Sequence, residues 1–214
     1  MIATLLLAAV QVGPNPTPLE LEPLPVHRRE KVPAETEAAP APVATAAGLA
    51  VAGNMAIIEG EYEKALTLLG QARSLAESEG KPRLAAETGL DRARALMMLG
   101  RNDEAGLALD QARAELPGDA QAWVVSSVNA RRKGDLAKAQ KLIEESIQFA
   151  PRDPGVGLEA GTIAYMVGDD EAALRSWQSV IDTAPASDEA EFARQYLESA
   201  GIVAAHGKEE PIGR

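Results

Sequence analysis

The sequence predicts an all-α fold, a solenoid of stacked helical hairpins, and three observations carry that reading. Punctuation residues recur at one spacing: Gly100, Gly134 and Gly168 stand 34 positions apart, and so do Ala105, Ala139 and Ala173, and Pro117, Pro151 and Pro185. A fixed period in this range marks a repeat array. Between the punctuation, apolar residues fall at helical spacing, as in Leu136, Ala139, Leu142, Ile143, Ile147 and Ala150. Only 3% of the chain is aromatic, so its core must be built from small residues and Leu, which suits closely stacked helices.

Taken in order, the chain opens with MIATLLLAAV, an apolar run too short for a membrane span. Residues 1–13 read as a signal peptide or as an untargeted apolar N-terminus. No Lys or Arg precedes the run, which counts against export. The Pro-rich tract that follows it closely counts for export. Residues 14–44 hold eight prolines and form a tether without a packed core. The array is expected over residues 45–200. In its third unit Gln121 to Lys133 is one helix, Gly134 ends it, Asp135 caps the next, and Pro151 closes the unit. One such hairpin cannot bury its apolar face alone, so neighbours stack. Gly60 and Gly100 stand 40 positions apart, six more than the period, and the surplus is expected as a loop near residues 77–82, at Gly80-Lys81-Pro82. Ala186-Ser187-Asp188 caps a last helix. Its polar positions Glu191, Arg194, Gln195 and Glu198 mark it as the terminal helix that closes the stack. Residues 201–214 read as a mobile tail.

The units resemble the tetratricopeptide repeat (TPR), as found in bacterial proteins of that family. Its pattern asks for an aromatic near position 4, small residues at 8, 20 and 27, Gly at 15 and Pro at 32. Trp123, Ser127, Gly134, Ala139, Ser146 and Pro151 fill those places in the third unit. The second unit gives Gly89, Ala93, Gly100, Ala105, Ala112 and Pro117. The fourth gives Gly157, Gly161, Gly168, Ala173, Val180 and Pro185, with Trp177 in its second helix. The first gives Leu49, Gly53, Gly60, Ala65 and Ala72. The resemblance implies a right-handed solenoid of about four units plus the C-terminal capping helix. Arg92 at a usually apolar place and Gly157 in place of an aromatic predict looser packing in the second and fourth units.

The resemblance also implies a function: a non-catalytic scaffold that binds a protein or extended peptide in its concave groove, lined by the first helix of each unit. The residues it places there include Asn54, Arg94, Met97, Val128, Arg131, Thr162 and Tyr165. Arg94 and Arg131 imply a partner segment that is apolar with at least one acidic group. Their alternative is pairing with nearby carboxylates such as Glu87 and Asp91. A specialised subclass clamps terminal carboxylates, but the corresponding places hold Ala50, Asn54, Asp91, Gln121 and Val125, and only Asn54 agrees. The rival to peptide binding is a self-associating array with no free groove. The expected setting is an envelope assembly of a bacterium, with the protein periplasmic or secreted, or else cytoplasmic.

Chemistry is not signalled. A net charge of −11 argues against nucleic-acid binding. There is no Cys, hence no disulfide or thiol nucleophile. His27 and His206 lie in the two tails without partners at ligand spacing. Gly155-Val156-Gly157 with Gly161 follows no strand, and Asp169-Asp170-Glu171 is an acidic first turn. No cofactor, metal or catalytic residue is expected.

Overall fold

The computed structural model describes residues 45–201. The expected leader or apolar N-terminus, the tether and the tail beyond Gly201 lie outside the described residues. Within them are nine helices: α1 (Ala46–Ile58), α2 (Tyr62–Ser78), α3 (Pro82–Met98), α4 (Asn102–Glu115), α5 (Ala120–Arg132), α6 (Leu136–Phe149), α7 (Pro154–Met166), α8 (Asp170–Thr183) and α9 (Asp188–Ser199). The chain is an all-α solenoid of four hairpins, with α9 as the ninth, closing helix.

Two kinds of joint set the geometry. Inside each hairpin the first helix ends on a glycine. At Gly134 (φ 79°) the glycine amide donates to the Arg131 carbonyl at 2.9 Å and the Asp135 amide to the Ala130 carbonyl at 3.0 Å. Those two bonds satisfy carbonyls that the helix end would leave bare, and they require a left-handed residue. Between hairpins the joint is a four-residue turn with proline second: Leu116 to Asp119, Ala150 to Asp153, and Ala184 to Ser187. In each the fourth amide donates to the first carbonyl, at 3.0, 3.1 and 2.9 Å. The fourth side chain then caps the next helix, Asp119 accepting from the Gln121 amide, Asp153 from Val156 and Ser187 from Ala190.

The join between α2 and α3 departs from expectation. The six surplus residues are not a loop. Helices α2 and α3 each run 17 residues, against 14 in α4 and 13 in α5. Only Glu79, Gly80 and Lys81 link them, closed by a glycine joint with Gly80 at φ 67° and the Lys81 amide on the Ala76 carbonyl at 2.8 Å. Pro82 does not break this arrangement, because it stands in the first turn of α3, where its missing N–H costs nothing.

Small residues hold the hairpins shut. Ala65, Ala105, Ala139 and Ala173 are all fully buried. At the third of these, the Ser127 hydroxyl donates to the Ala139 carbonyl at 2.9 Å across the hairpin. The fourth unit is tightly packed, contrary to the looseness expected from Gly157 and Gly161. A Cβ on Gly161 would stand 2.4 Å from Trp177 Nε1, and one on Gly157 2.5 Å from Val180 Cγ2. The aromatic absent at Gly157 is made up for by α8: Trp177 is fully buried in the hole Gly161 leaves and donates to the Leu158 carbonyl at 3.2 Å.

The two ends of the stack differ. On α9, Ala190 and Ala193 are buried while Glu191, Arg194, Gln195 and Glu198 face outward. Helix α1 has no charged residue, and Val51, Met55 and Ile58 on it are 60, 48 and 58% exposed.

Candidate functional site

The first helices of the units lie side by side: α1 touches α3, α3 touches α5, α5 touches α7, and α7 touches α9. Among the described residues the second helices α2, α4, α6 and α8 do not touch one another in this way. Close spacing in one row and wide spacing in the other curve the stack around the first helices, which therefore line the concave face. On the outer side Arg73 of α2 spans the gap. It lies over Gly89, whose Cβ would stand 2.5 Å from Nη1, and pairs through both terminal nitrogens with Glu115 of α4, at 3.1 and 2.7 Å.

Polar side chains run across the concave row. Asn54 on α1 donates through Nδ2 to Asp91 Oδ2 on α3 at 2.9 Å. Arg94, one turn on from Asp91, donates to its Oδ1 at 2.7 Å and to Gln121 Oε1 on α5 at 3.3 Å. Three units are thus linked through four side chains. Farther along, Arg131 on α5 makes a two-pronged pair with Glu159 on α7, Nε to Oε1 at 2.8 Å and Nη2 to Oε2 at 3.0 Å. Beside it Arg132 Nη1 donates to the Met97 carbonyl at 2.9 Å. Asn54 Oδ1 is buried and has no hydrogen-bond partner.

The electrostatics follow from burial. The Glu159 side chain is 1% exposed. Burial pushes its carboxyl above the usual carboxylate range, against the opposing pull of Arg131 and then Arg132. Burial first, and the neighbouring Arg131 second, hold Arg132 below its ordinary value.

The residues singled out from the sequence divide into two groups. Asn54, Arg94, Arg131 and Tyr165 are half-buried on the row, Tyr165 with its ring 5.9 Å from that of Trp177. Met97, Val128 and Thr162 are buried, Thr162 donating to the Leu158 carbonyl, so they offer a ligand little surface. Of the two carboxylates expected near the arginines, Asp91 pairs with Arg94, while Glu87 pairs with Arg83. The partner of Arg131 is Glu159, which sequence reasoning missed. The available signal was a lone carboxylate inside the otherwise uncharged run from Gly155 to Val167. Exposed apolar side chains flank the row at Ile58 and Met166. Among the described residues no His, Asp and Glu cluster is arranged to hold a metal ion, and no helix is long and apolar enough to cross a membrane.

Residues 56–125 match the family model described as tetratricopeptide repeat. Solved structures with the same fold include YrrB, a TPR protein with an unusual peptide-binding site: 19% identity over 70% of this chain and 74% of that one, TM-score 0.52. MamA from Desulfovibrio magneticus RS-1 aligns at 16% identity over 67% of this chain and 77% of that one, TM-score 0.54. A tetratricopeptide repeat protein from Parabacteroides merdae aligns at 13% identity over 73% of this chain and 60% of that one, TM-score 0.55. No curated protein matches the chain in sequence. The period, the glycine and proline joints, the buried small residues and these matches agree: residues 56–125 match the tetratricopeptide repeat, and the array as a whole has the fold of tetratricopeptide-repeat structures.

Proposed function

We propose that the protein is a non-catalytic scaffold that holds a segment of another protein along the concave row of α1, α3, α5 and α7. The observation that carries the reading is the half-buried polar line from Asn54 through Asp91 and Arg94 to Gln121. An extended peptide lying along the row brings backbone N–H and C=O groups that half-buried polar side chains of this kind can meet. Exposed Met166 suits an apolar side chain on the ligand, and Arg94 suits an acidic one. The peptide-binding site of YrrB, a TPR protein of the same fold, supports the class of ligand.

The setting we propose is an envelope assembly of a bacterium, supported by the apolar residues Met1–Val10 and the Pro-rich tract after them. Sequencing the mature N-terminus tests it, since an intact Met1 in soluble cytosol removes that setting. Binding is tested on a partner captured by pull-down from the native host and titrated against single variants. Arg94→Ala should weaken binding roughly tenfold or more, the scale of one charge-assisted hydrogen bond. Arg131→Ala should weaken it too, although it also strands Glu159 in the interior. Arg175, 68% exposed on α8 and pointing away from the row, is the control. Equal affinity for the three variants would overturn the concave-site reading and leave the fold untouched.

A further inference from the structure

We propose that the outer face of α1 is a self-association surface, on which a second copy of this chain docks α1 against α1 about a two-fold axis. Every other described helix carries at least one charged residue, and α1 carries none. In a chain of net charge −11, two copies repel one another over most of their surfaces, and least where no charge stands. The face combines projecting Val51, Met55 and Ile58 with exposed Gly48 and Ala52, one residue type supplying ridges and the other notches. A surface that holds both complements a rotated copy of itself, which is what an isologous contact requires.

The opposite end of the stack decides the symmetry. Head-to-tail stacking would press apolar α1 onto Glu191, Arg194, Gln195 and Glu198 of α9 and strip water from charged groups, the Glu191–Arg194 pair among them, that α1 has no polar side chain of opposite charge to meet. Head-to-head pairing avoids that cost and closes after two copies, so a dimer forms and not a filament. A helix of 13 residues is about 20 Å long, and its one face is small against the ~800 Å² per partner of a standard interface. The dimer is therefore weak, with half-dissociation at about 10 μM or above. The surface lies outside the polar line, since Asn54 turns from α1 toward α3, and the dimer leaves the concave row open except at its edge, where Ile58 borders both.

The chain has no Cys, so a single introduced thiol is a clean probe. Sedimentation equilibrium of the full chain from about 1 μM to 1 mM should show monomer passing to dimer and nothing larger. Met55→Glu should keep the chain monomeric throughout with an unchanged melting curve. Val51→Cys, near the middle of α1, should give a disulfide-linked dimer on mild oxidation. Leu107→Cys, at a still more exposed position on α4, should not. A monomer at every concentration, a dimer insensitive to Met55→Glu, growth beyond two copies, or equal cross-linking of the two thiols would each overturn the proposal. So would dimerisation that appears only after residues 1–13 are deleted, which would assign the face to the N-terminal apolar run. These outcomes are independent of whether the concave row binds a partner.

Discussion

The two ends of the array are built from the same kind of helix and treat solvent in opposite ways. At the C-terminal end Trp177 sits where three helices meet, its ring 5.9 Å from Tyr165 of α7 and 5.5 Å from Tyr196 of α9, and the outer side of α9 is polar. At the N-terminal end the corresponding large side chain is Leu69 of α2, fully buried over Gly53 of α1, and nothing among the described residues lies beyond α1. A repeat array needs its last apolar face shielded at each end. Here α9 shields one end with its own sequence, whereas the face of α1 has the composition of an inner surface.

The largest expected effect tests the anchors. Trp177→Ala should cost about 3–5 kcal/mol and Leu69→Ala about 2–5, read from denaturant unfolding. The loss at Trp177 should spread to α7, α8 and α9 in hydrogen exchange, and that at Leu69 to α1 and α2 alone. A Trp177→Ala cost below about 1 kcal/mol would show that it does not anchor the C-terminal end. Next come the close approaches. Gly161→Ala drives a methyl into the indole ring and should destabilise by about 1–3 kcal/mol, as should Ala139→Leu in the middle of the stack. Gly53→Ala should cost a similar amount, because its methyl meets Leu69 Cγ at 2.6 Å and Cδ2 at 2.7 Å, with the Leu69 backbone nitrogen at 3.4 Å, and Leu69 is fully buried. A wild-type melting temperature for either variant would show that its close approach is relieved without cost.

The smallest effect is a difference in sign with pH. Arg73 in the N-terminal half holds the Glu115 carboxyl below its ordinary value, chiefly through its hydrogen bonds. The stability Glu115 brings is present above the ordinary carboxylate pKa and is lost as pH falls toward the lowered one. Burial in the C-terminal half does the reverse to Glu159, whose folded carboxyl holds its proton more tightly than the unfolded one. Its contribution falls as pH rises from the ordinary value through the raised one. Unfolding free energies measured against pH should therefore converge with those of Glu115→Gln on acidification, and improve relative to Glu159→Gln. Parallel curves for wild type and both variants would contradict the assignment.

The architecture was legible because each joint demands particular residues. Gly134 announces a left-handed turn and Pro151 with Asp153 a capped one, and both lie a short distance along the chain from what they control. What was illegible depends on partners far apart in sequence. Gly157 and Gly161 read as gaps because nothing local says that Trp177 fills one of them. Arg131 reads as meeting an acidic ligand group, or else a nearby carboxylate such as Glu87 or Asp91, because its actual partner Glu159 lies 28 residues away. Met97 and Val128 read as groove residues because the family register gives a direction along the helix, while burial depends on how closely the next helix approaches. The extra turn in α2 and α3 was hidden by a true turn signal at Gly80: the break was visible, but not that its flanks stay helical.

The side-by-side arrangement of the helices also bears on how the fold forms. Among the described residues no helix touches one more than two places away in chain order. Closing such contacts requires only short stretches of chain to be ordered at a time, and proteins with contacts this local fold quickly for their size. Each hairpin can therefore be completed on the one before it as the polypeptide emerges during synthesis, with no segment waiting for a distant mate. Until Trp177 and then α9 are in place, however, every growing intermediate ends in a bare apolar face, so the polar last helix is also the signal that the folding of the array is finished.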